Sequence, residues 1–387
     1  THLIQSLLDD CAILGTMGLR KTCDSAYLDQ GNTTPQNKEV QKIIRDLVDG
    51  HISEQGSEKN MSSKKPFKYL AMEVSSHALD QFRVACLSFK YAIVTNLTQD
   101  HLDYHKTMDH YFKTKAKIFA QTQEYAILNL DDKYFKQFET EALKSKLKVL
   151  SVSVQNPDAD FFAADINYDF YGLSYNLRTK NHGTITIKTQ LNSEFNIYNS
   201  MFAIAVALKE GIKPEKITEI FANIKVIPGR FEAIKEEHTP LCIVDYAHSP
   251  DGLLNVLKGA RALVKNDTKL ICVFGCGGDR DITKRPLMGK IAYEYADKVY
   301  VTSDNPRSED PDRIIADILT GLPNLNKTKV LVDRKAAIHT AIKEASPQDI
   351  IVIAGKGHEN YQILADETIH FDDKEEVLEA FSVIARL

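Results

Sequence analysis

Acidic and histidine side chains follow two apolar runs in the first third of the sequence. Glu73 lies at the end of the run FKYLAMEV (67–74), and Asp100 and His101 come after YAIVTNL (91–97). Short apolar runs of this kind predict buried strands of one parallel sheet, whose carboxyl ends lie on the same edge. Because oxygen-rich sites suit Mg²⁺, the pattern predicts a magnesium site there. A capping or hydrogen-bonded pair would give the same residues.

Lys115 lies in the helical pattern TMDHYFKTKAKIFAQ (107–121), between two further lysines. Helical geometry directs Lys113 and Lys117 away from it. A single lysine of this kind is typical of a solvated helix face. Only carbamylation, which turns the cation into an anion, would make Lys115 a metal ligand, and composition does not show that change.

Charged residues also follow three apolar runs in the last third of the sequence. The turn GCGGDRD contains Arg280, SDNPR contains Arg307, and AGKGHE ends on Glu359. Guanidinium groups suit carboxylates and a carboxylate suits an ammonium group, so this set predicts a site for a zwitterion. Lys284 and Arg285 add cations suited to carboxylate or phosphate. The alternative for each is an unrelated surface charge, and AGKGHE lacks the Ser or Thr of a phosphate loop.

The elements that must position these residues alternate between apolar runs and helical patterns. KEVQKIIRDLVDG and residues 107–121 predict helices, whereas EYAILNL (124–130) predicts another strand. Residues 157–195 show apolar–polar alternation, which predicts an antiparallel meander. Residues 51–66 are polar without a period and predict an exposed loop.

Pro and Gly break the pattern at IPGRFEAIK (227–235), which predicts a domain boundary. Five further apolar runs follow: TPLCIVDYA, KLICVFG, DKVYVTS, TKVLVD and DIIVIAG. The fold class is therefore α/β, with a mostly parallel central domain carrying a small meander (1–228). A second, doubly wound, Rossmann-like domain (229–387) follows it.

Composition limits the class of protein. The net charge of -5 gives no general attraction to nucleic acid or to an anionic membrane. No run of 18 apolar residues would span a bilayer, and the N-terminus does not resemble a signal peptide. Six scattered cysteines without a CxxC pair predict reduced thiols. We expect a cytoplasmic monomer that neither binds nucleic acid nor inserts into membranes.

Taken together, these segments resemble the Mur ligases over essentially the whole chain except residues 51–66. The matching stretches are GNTTPQ, MEVSSHALDQFRV, NLTQDHLDYHKTMDHYFKTK, PGRFEAI, VDYAHSPDGL, FGCGGDRDITKRPLMG, SDNPRSEDP, GKGHENYQ and HFDDKEE. Each is modestly specific, but their common order is not a coincidence. The similarity is to members that add the third residue to UDP-N-acetylmuramoyl-L-alanyl-D-glutamate, in peptidoglycan synthesis, which serves cell-wall biogenesis, cell shape and cell division.

The resemblance implies an ATP-dependent amide-bond ligase with a central ATPase domain and a C-terminal domain for the incoming amino acid. ATP would phosphorylate the D-glutamate side-chain carboxylate of the UDP-N-acetylmuramoyl dipeptide. The amine of the incoming amino acid would then attack the acyl-phosphate. Mg²⁺ would neutralise the phosphate charge.

The resemblance also implies a role for each matching residue. Catalytic and metal-binding positions are Glu73, His101 and Lys115, the last as a carbamylated lysine. Positions for the UDP-muramoyl substrate are Asn32, Thr33, Thr34, Ser75, Gln81 and Arg83. Positions for ATP are Asn129, Asn199, Arg230, Asp245 and His248. Positions for the amino acid are Arg280, Asp304, Asn305, Arg307, Gly355 and Glu359.

Arg307 indicates which amino acid is added. Family members that add meso-diaminopimelate carry DNPR, and those that add lysine lack this arginine. The distal carboxylate of meso-diaminopimelate suits an arginine, which would repel the distal ammonium of lysine. We therefore expect the diaminopimelate type.

The sequence departs from the family in three places. The 387 residues contain neither the UDP-binding domain nor a GTNGKTT-type phosphate loop, and Thr1 aligns with the helix after that loop. We therefore expect the 387-residue chain to be inactive alone. Lys106 replaces a glycine of the relatives, and because lysine resists a positive φ, we expect a different local turn.

Two alternatives remain. The chain could be a non-catalytic binding module that keeps the amino-acid pocket. It could also be a related ligase that adds L-lysine, or glutamate as folylpolyglutamate synthases do, although DNPR and GKGHENYQ argue against both.

Overall fold

The computed structural model describes residues 1–50, 66–169, 172–224, 226–265 and 268–384. The loop expected at residues 51–66 therefore lies outside the described residues except for its last position. The described residues form two α/β units, each with its own parallel sheet and apolar core.

The strands of the first unit are β1 (Cys11–Gly15), β2 (Gly18–Arg20), β3 (Tyr69–Met72), β4 (Phe89–Val94), β5 (Thr122–Asn129), β6 (Lys148–Ser153), β7 (Phe161–Asp169), β8 (Gly172–Thr179) and β9 (Gly183–Thr189). Its helices are α1 (His2–Leu7), α2 (Asn37–Asp49), α3 (Ser76–Asp80), α4 (Leu102–His105), α5 (Met108–Ala116), α6 (Phe135–Lys144), α7 (Glu194–Lys209) and α8 (Pro214–Asn223). A 3₁₀ turn, Lys117–Gln121, extends α5.

Strands β4 to β9 form a six-stranded sheet in sequence order. Strands β4 to β7 run parallel, and β7, β8 and β9 form the expected antiparallel meander. Helix α7 is apolar on nearly all sides, which is typical of a helix buried in a core. It packs against α1, β5 and β6 and so closes the core of this unit.

The expectation that Glu73 and His101 follow strands of one sheet is wrong. Strand β3 pairs with β1 in a separate three-stranded sheet, order β2-β1-β3. Strands that are consecutive in sequence pair often, but not always. Here side chains join the two strands instead, since the hydroxyls of Tyr69 and Tyr91 donate to the two carboxylate oxygens of Glu210, at 2.8 and 2.5 Å.

The strands of the second unit are β10 (Glu232–Ile234), β11 (Leu241–Asp245), β12 (Leu270–Phe274), β13 (Lys298–Val301), β14 (Thr328–Val330), β15 (Ile350–Ala354), β16 (Tyr361–Ile363) and β17 (Thr368–His370). Its helices are α9 (Pro250–Ala262), α10 (Lys284–Tyr295), α11 (Pro311–Leu319), α12 (Arg334–Glu344) and α13 (Asp373–Ile384).

The second unit is doubly wound, as expected. Its sheet has the order β10-β11-β15-β12-β13-β14, and every pair is parallel except β10 with β11. Helices α9, α10 and α11 cover one face, and α12 and α13 cover the other. Strands β11, β12 and β15 are buried throughout, as apolar strands between two helical layers should be. The hairpin β16–β17 was not predicted.

The turn at Lys106 does not differ in the expected way. Lys106 adopts the positive φ of 64° that a glycine would adopt. It ends α4 by donating its backbone N–H to Leu102 O, and its Nζ donates to the carbonyl of Asp103. These two bonds offset the strain of the positive φ.

All six cysteines are free thiols, four of them buried. No helix within the described ranges combines the length and the apolar character needed to cross a bilayer.

Candidate active site

Glu73 directly follows β3 and faces the turn between β1 and β2. Its Oε2 accepts hydrogen bonds from the Thr16 backbone N–H at 3.0 Å and the Thr16 hydroxyl at 2.8 Å. Its Oε1 lies 3.4 Å from the hydroxyl of Thr1. The Glu73 carboxylate thus lies against the beginning of the chain.

His101 begins α4 in a left-handed conformation, with φ 55° and ψ 28°. Its backbone N–H donates to Asp100 Oδ1 at 2.9 Å, and its Nε2 lies 3.6 Å from Asp100 Oδ2. Its ring stands edge-on to that of His77, with centroids 5.0 Å apart. Strained residues of this kind cluster at functional sites, so the geometry supports a role for this turn.

Lys115 lies on α5, close to the same turn. Its Nζ stands 5.5 Å from the ring centroid of Tyr111, whose ring centroid lies 6.2 Å from that of His101. Burial lowers the pKa of Lys115, and the Asp100 carboxylate only partly opposes that shift. Among the described residues no hydrogen bond or ion pair holds the Lys115 ammonium, in contrast to Lys113, which pairs with Asp109 at 2.7 Å.

The structure therefore brings Asp100, His101 and Lys115 together around Tyr111. Within the described ranges no hydrogen bond or ion pair connects Glu73 to this group. Glu73 instead belongs with the residues expected to contact the UDP-muramoyl substrate.

Those residues form one network around Thr34, which is fully buried. The Thr34 hydroxyl donates to Glu73 O at 2.9 Å and accepts from Ser75 N at 3.1 Å. Arg83 donates from Nη1 to Thr34 O at 3.0 Å, and its Nε and Nη2 donate to Gln81 Oε1. Thr34 is thus internal to the site, and Arg83 and the exposed Gln81 present its polar surface.

Thr33 and Asn32, the other two residues expected to contact the UDP-muramoyl substrate, lie at the edge of this network. The Thr33 hydroxyl lies 3.2 Å from that of Thr16, which links it to Glu73. Asn32 is exposed in the preceding loop.

Three of the residues expected at ATP surround Tyr246, at the end of β11. The Arg230 guanidinium stands 4.8 Å from the Tyr246 ring centroid, and His248 Nδ1 lies 2.9 Å from Tyr246 O. Asp245 is buried and accepts from the Phe231 backbone N–H at 2.7 Å. Burial raises the pKa of Asp245 to about 6, although the Arg230 charge opposes the shift.

Asn129 and Asn199 lie in the first unit, apart from this group. Asn129 ends β5, and its Oδ1 accepts from the Asp131 backbone N–H at 3.0 Å. Asn199 is exposed on α7 and donates to Asn196 Oδ1 at 3.3 Å.

The residues expected at the amino acid meet at the carboxyl ends of β12, β13 and β15. Arg307 has φ 54°, and its Nη1 donates to Gly278 O at 2.9 Å and to Asn305 O at 3.3 Å. Arg280 is exposed and donates to Asp279 O at 3.3 Å. The two guanidinium groups are therefore on adjacent turns.

Asp304 and Gly355 lie in close contact beside these turns, and we call the whole group the amino-acid pocket. A Cβ on Gly355 would lie 2.3 Å from Asp304 Oδ2, and the backbone φ of Gly355 is +124°. Only glycine allows so close an approach. Asn305, which is also buried, donates from Nδ2 to Glu359 Oε2 at 2.9 Å.

Three cations near the pocket are buried and donate hydrogen bonds to internal acceptors. Lys284 is buried and donates to His248 O at 2.9 Å. Arg285 is buried between Glu309 and Asp317, at 2.7 and 2.9 Å. The expectation that Arg285 serves a ligand carboxylate or phosphate is wrong, because two internal carboxylates already hold it. For Lys284 the same expectation stays a prediction, since its one hydrogen bond leaves further donors on the ammonium. Lys356, which was not predicted as a site residue, is fully buried.

Tyr246 and His358 were missed as well. Their ring centroids lie 5.0 Å apart, so they connect the ATP-side group to the AGKGHE turn. His358 Nδ1 is buried and finds no hydrogen-bond partner among the described residues. A signal was present in the sequence, since both lie inside the motifs VDYAH and GKGHE.

The chain is similar to known proteins over most of its length. The Mur ligase middle domain matches residues 1–207, and the Mur ligase, glutamate ligase domain matches residues 229–357. The UDP-N-acetylmuramoyl-L-alanyl-D-glutamate–2,6-diaminopimelate ligase of Fusobacterium nucleatum is 40% identical over 377 residues, which cover 97% of this chain and 73% of that protein.

Solved structures show the same relationship. One of a UDP-N-acetylmuramoyl-L-alanyl-D-glutamate–2,6-diaminopimelate ligase is 33% identical, with a TM-score of 0.64, over 99% of this chain and 75% of that one. A folylpolyglutamate synthase of Mycobacterium tuberculosis, complexed with ADP and AMPPCP, shares the fold at 16% identity. Its TM-score is 0.65, over 92% of this chain and 85% of that one. The chain belongs to the Mur ligase family.

Proposed function

We propose that the protein is an ATP-dependent ligase that adds meso-2,6-diaminopimelate to UDP-N-acetylmuramoyl-L-alanyl-D-glutamate. The reaction forms an amide bond and serves peptidoglycan synthesis, hence cell shape and division. We place it in the cytoplasm and propose that the protein acts as a monomer. The 40% identical relative named for this reaction supports the assignment.

The position of Arg307 is the observation that carries the choice of amino acid. Two backbone carbonyls, of Gly278 and Asn305, hold its Nη1. Its guanidinium therefore has a defined place, and it is not neutralised by an ion pair with any described residue. A fixed arginine of this kind suits the distal carboxylate of meso-diaminopimelate.

The same arginine argues against the alternatives. L-lysine would bring its distal ammonium to a guanidinium, and like charges at close range are unfavourable. Glutamate is too short to place one carboxylate at Arg307 and its amine at a second centre in the way that diaminopimelate does. The likeness to a folylpolyglutamate synthase, at 16% identity, concerns the fold alone.

The residues of the chain then have separable tasks in the reaction. An oxygen of the D-glutamate side-chain carboxylate attacks the γ-phosphorus of ATP, and ADP leaves. The neutral amine of diaminopimelate then attacks the acyl carbon and forms the C–N bond. The acyl C–O bond breaks, phosphate leaves, and the nitrogen releases a proton. Arg83 and Gln81 would hold the first substrate, Arg230 and His248 would hold the nucleotide, and Arg307 and Glu359 would hold the amino acid.

His101 and Lys115 would hold Mg²⁺ beside Tyr111, and Glu73, which no described contact joins to them, would hold Mg²⁺ on the substrate side. The metal would supply charge neutralisation for the phosphate oxygens. As an ammonium, Lys115 does not fit a cation. As a carbamate it does, and two features favour that form: its lowered pKa and its lack of a hydrogen-bond partner among the described residues. The neutral amine attacks CO₂, an N–C bond forms and a proton leaves, which gives an anionic ligand.

Calorimetric titration with an amino-acid panel tests the substrate. The chain is titrated with meso-diaminopimelate, L-lysine or L-glutamate, with Mg²⁺, a non-hydrolysable ATP analogue and the UDP-muramoyl dipeptide present. We expect binding of meso-diaminopimelate only. Arg307→Ala should weaken it by about tenfold to a hundredfold, as the loss of a charged hydrogen bond predicts.

Arg313→Ala, which removes an exposed arginine of α11, is the matched control and should bind like the wild type. Preferential binding of lysine or glutamate would overturn the assignment. So would an unchanged affinity in Arg307→Ala.

Lys115 carbamylation has its own test. Incubation with ¹³C-bicarbonate should give a carbamate carbonyl signal in the ¹³C NMR spectrum of the wild type. Lys115→Arg should lack that signal, whereas Lys113→Arg should keep it. The same spectrum for wild type and Lys115→Arg would refute carbamylation at this position.

A further inference from the structure

Lys356 is a fully buried lysine between Gly355 and Gly357, directly after β15. Its Nζ donates to Asn305 Oδ1 and to Glu359 Oε2, both at 3.2 Å. It also stands 5.4 Å from the ring centroid of Tyr361. Lysine is almost never fully buried without partners, so these contacts account for its position.

The two contacts of Lys356 determine the orientation of its neighbours. Asn305 Oδ1 accepts from Lys356 Nζ and also from the Ile363 backbone N–H at 3.0 Å. With two donors on Oδ1, the amide must turn Nδ2 toward Glu359, and it donates to Oε2 at 2.9 Å. Asn305 and Lys356 thus meet the same oxygen of Glu359, so Oε1 is turned away from both.

Lys356 has no surface exposed to solvent. A ligand in the pocket therefore reaches Glu359, whose side chain is 13% exposed, but not the ammonium behind it. Any effect of Lys356 on binding must act through the residues that it contacts, which are Glu359, Asn305 and Tyr361.

Arg307 and Glu359, the two charged residues expected to bind the amino acid, both contact Asn305. Arg307 Nη1 donates to the backbone carbonyl of Asn305, and Glu359 accepts from its side chain. Groups so close together hold one end of a ligand. If Arg307 takes the distal carboxylate, Glu359 takes the ammonium on the same carbon atom.

We propose that Lys356 is a positioning residue that holds Glu359 so that Oε1 faces the distal ammonium of the amino-acid substrate. This inference rests on the proposed function, since it assumes a ligand with an ammonium beside its distal carboxylate. It adds to that function a residue that sets specificity without touching the ligand.

The direction in which the affinity changes when Lys356 is removed distinguishes a positioning role from a purely electrostatic one. A buried cation close to a bound ammonium repels it, so its removal would strengthen binding if charge alone mattered. If Lys356 positions Glu359, its removal weakens binding, because the carboxylate loses its orientation.

Calorimetric titration of Lys356→Met with two ligands tests the proposal, under the conditions given above for the amino-acid panel. The ligands are meso-diaminopimelate and 2-aminopimelate, which keeps both carboxylates but lacks the distal amine. We expect Lys356→Met to bind meso-diaminopimelate about tenfold more weakly or worse. Its affinity for 2-aminopimelate should change by less than about threefold.

Lys335→Met is the matched control, because Lys335 also pairs with glutamates, at 3.2 and 2.7 Å, but on the exposed side of α12. It should bind both ligands like the wild type. Circular dichroism and a thermal melt establish that each variant is folded. Should Lys356→Met fail to fold, Lys356→Gln replaces it, since its amide fills part of the space and keeps a donor.

Three outcomes would overturn the proposal. An unchanged or higher affinity for meso-diaminopimelate would leave Lys356 without a positioning role. Equal weakening for both ligands would indicate general damage to the pocket. Failure of the wild type to bind meso-diaminopimelate would refute the proposed function itself, and the wild-type titration shows that result separately from the variants.

Discussion

Replacing Arg334 with methionine should destabilise the second unit by about 3 to 5 kcal/mol, the usual result of removing one partner of a buried ion pair. Arg334 begins α12, Asp373 begins α13, and both side chains are fully buried. Arg334 Nε and Nη2 donate to the two oxygens of Asp373, each at 2.7 Å. Although burial alone would lower it, the Asp373 carboxylate raises the pKa of Arg334 above its ordinary value.

The size of the stability loss follows from the polar groups that lose their partner when Arg334 is replaced. Methionine fills much of the space of arginine but leaves the Asp373 carboxylate buried without its counter-ion. It also removes the donors to Ser303 O and Ala354 O, at 3.4 and 3.1 Å. Each of these carbonyls adds a smaller cost of about 1 kcal/mol or less, because such bonds contribute modestly to net stability.

Urea unfolding followed by far-UV circular dichroism measures this change. The sequence contains no tryptophan, so tyrosine fluorescence is the second probe. Arg261→Met is the control: Arg261 pairs with Asp297 at 2.9 Å, but the two side chains are 36% and 42% exposed. Its loss should cost less than about 1 kcal/mol, as for other partly exposed pairs.

The double variant Arg334→Met, Asp373→Leu is the sharper test. If the cost arises from an uncompensated charge, removing that charge should restore at least half of the lost stability. A double variant as unstable as Arg334→Met would refute the argument. So would an Arg334→Met variant no less stable than Arg261→Met.

Two further predictions concern the ATP-side group. Gly229 has φ 65°, and a Cβ there would lie 2.2 Å from His358 N, whereas Gly211 has φ 83° with nothing within 4 Å. In thermal melts, Gly211→Ala should lower the free energy of unfolding by about 1 to 2 kcal/mol, because alanine disfavours its positive φ. Gly229→Ala should lower it by about 1 to 3 kcal/mol more, because its Cβ also clashes. Equal losses of stability would contradict the packing argument. Burial raises the pKa of Asp245 to about 6. The folded state therefore loses stability as the pH rises from about 4 to 6, and the loss remains constant above that range. Asp245→Asn should therefore match the wild type in stability at pH 4 and exceed it at pH 8 by at most about 3 kcal/mol, and a difference independent of pH would refute this.

Most of the secondary structure and the topology of the second unit could be predicted from the sequence. Strands β11, β12 and β15 are almost continuous apolar runs because helices cover both faces of their sheet, and the sequence alone shows that pattern. The meander was predictable for the opposite reason, since its strands alternate between buried and exposed residues. The turns after the strands of the second unit then brought the amino-acid residues together, as parallel topology requires.

Sheet membership and backbone strain were not predictable in this way. Strand β3 resembles β4 in composition, yet it pairs with β1, because pairing depends on contacts between segments distant in sequence. Lys106 adopts a positive φ that its residue type disfavours, because two local hydrogen bonds outweigh the strain. Intrinsic preference is a weak guide wherever tertiary contacts compensate it.

The burial of three cations is the clearest example of a property that could not be predicted from the sequence. Nothing in the sequence marks Lys356, Arg285 and Arg334 as buried, yet the side chain of each is at most 1% exposed. Each contacts a turn of the pocket from its buried side. Lys356 contacts the Asn305 and Glu359 side chains, Arg285 binds Glu309 just after the SDNPR turn, and Arg334 binds the carbonyls of Ser303 and Ala354. A charge can be buried only where its partners already lie, so its role depends on the completed fold. It follows that substitutions beneath the pocket should change amino-acid binding without removing any contact to the ligand.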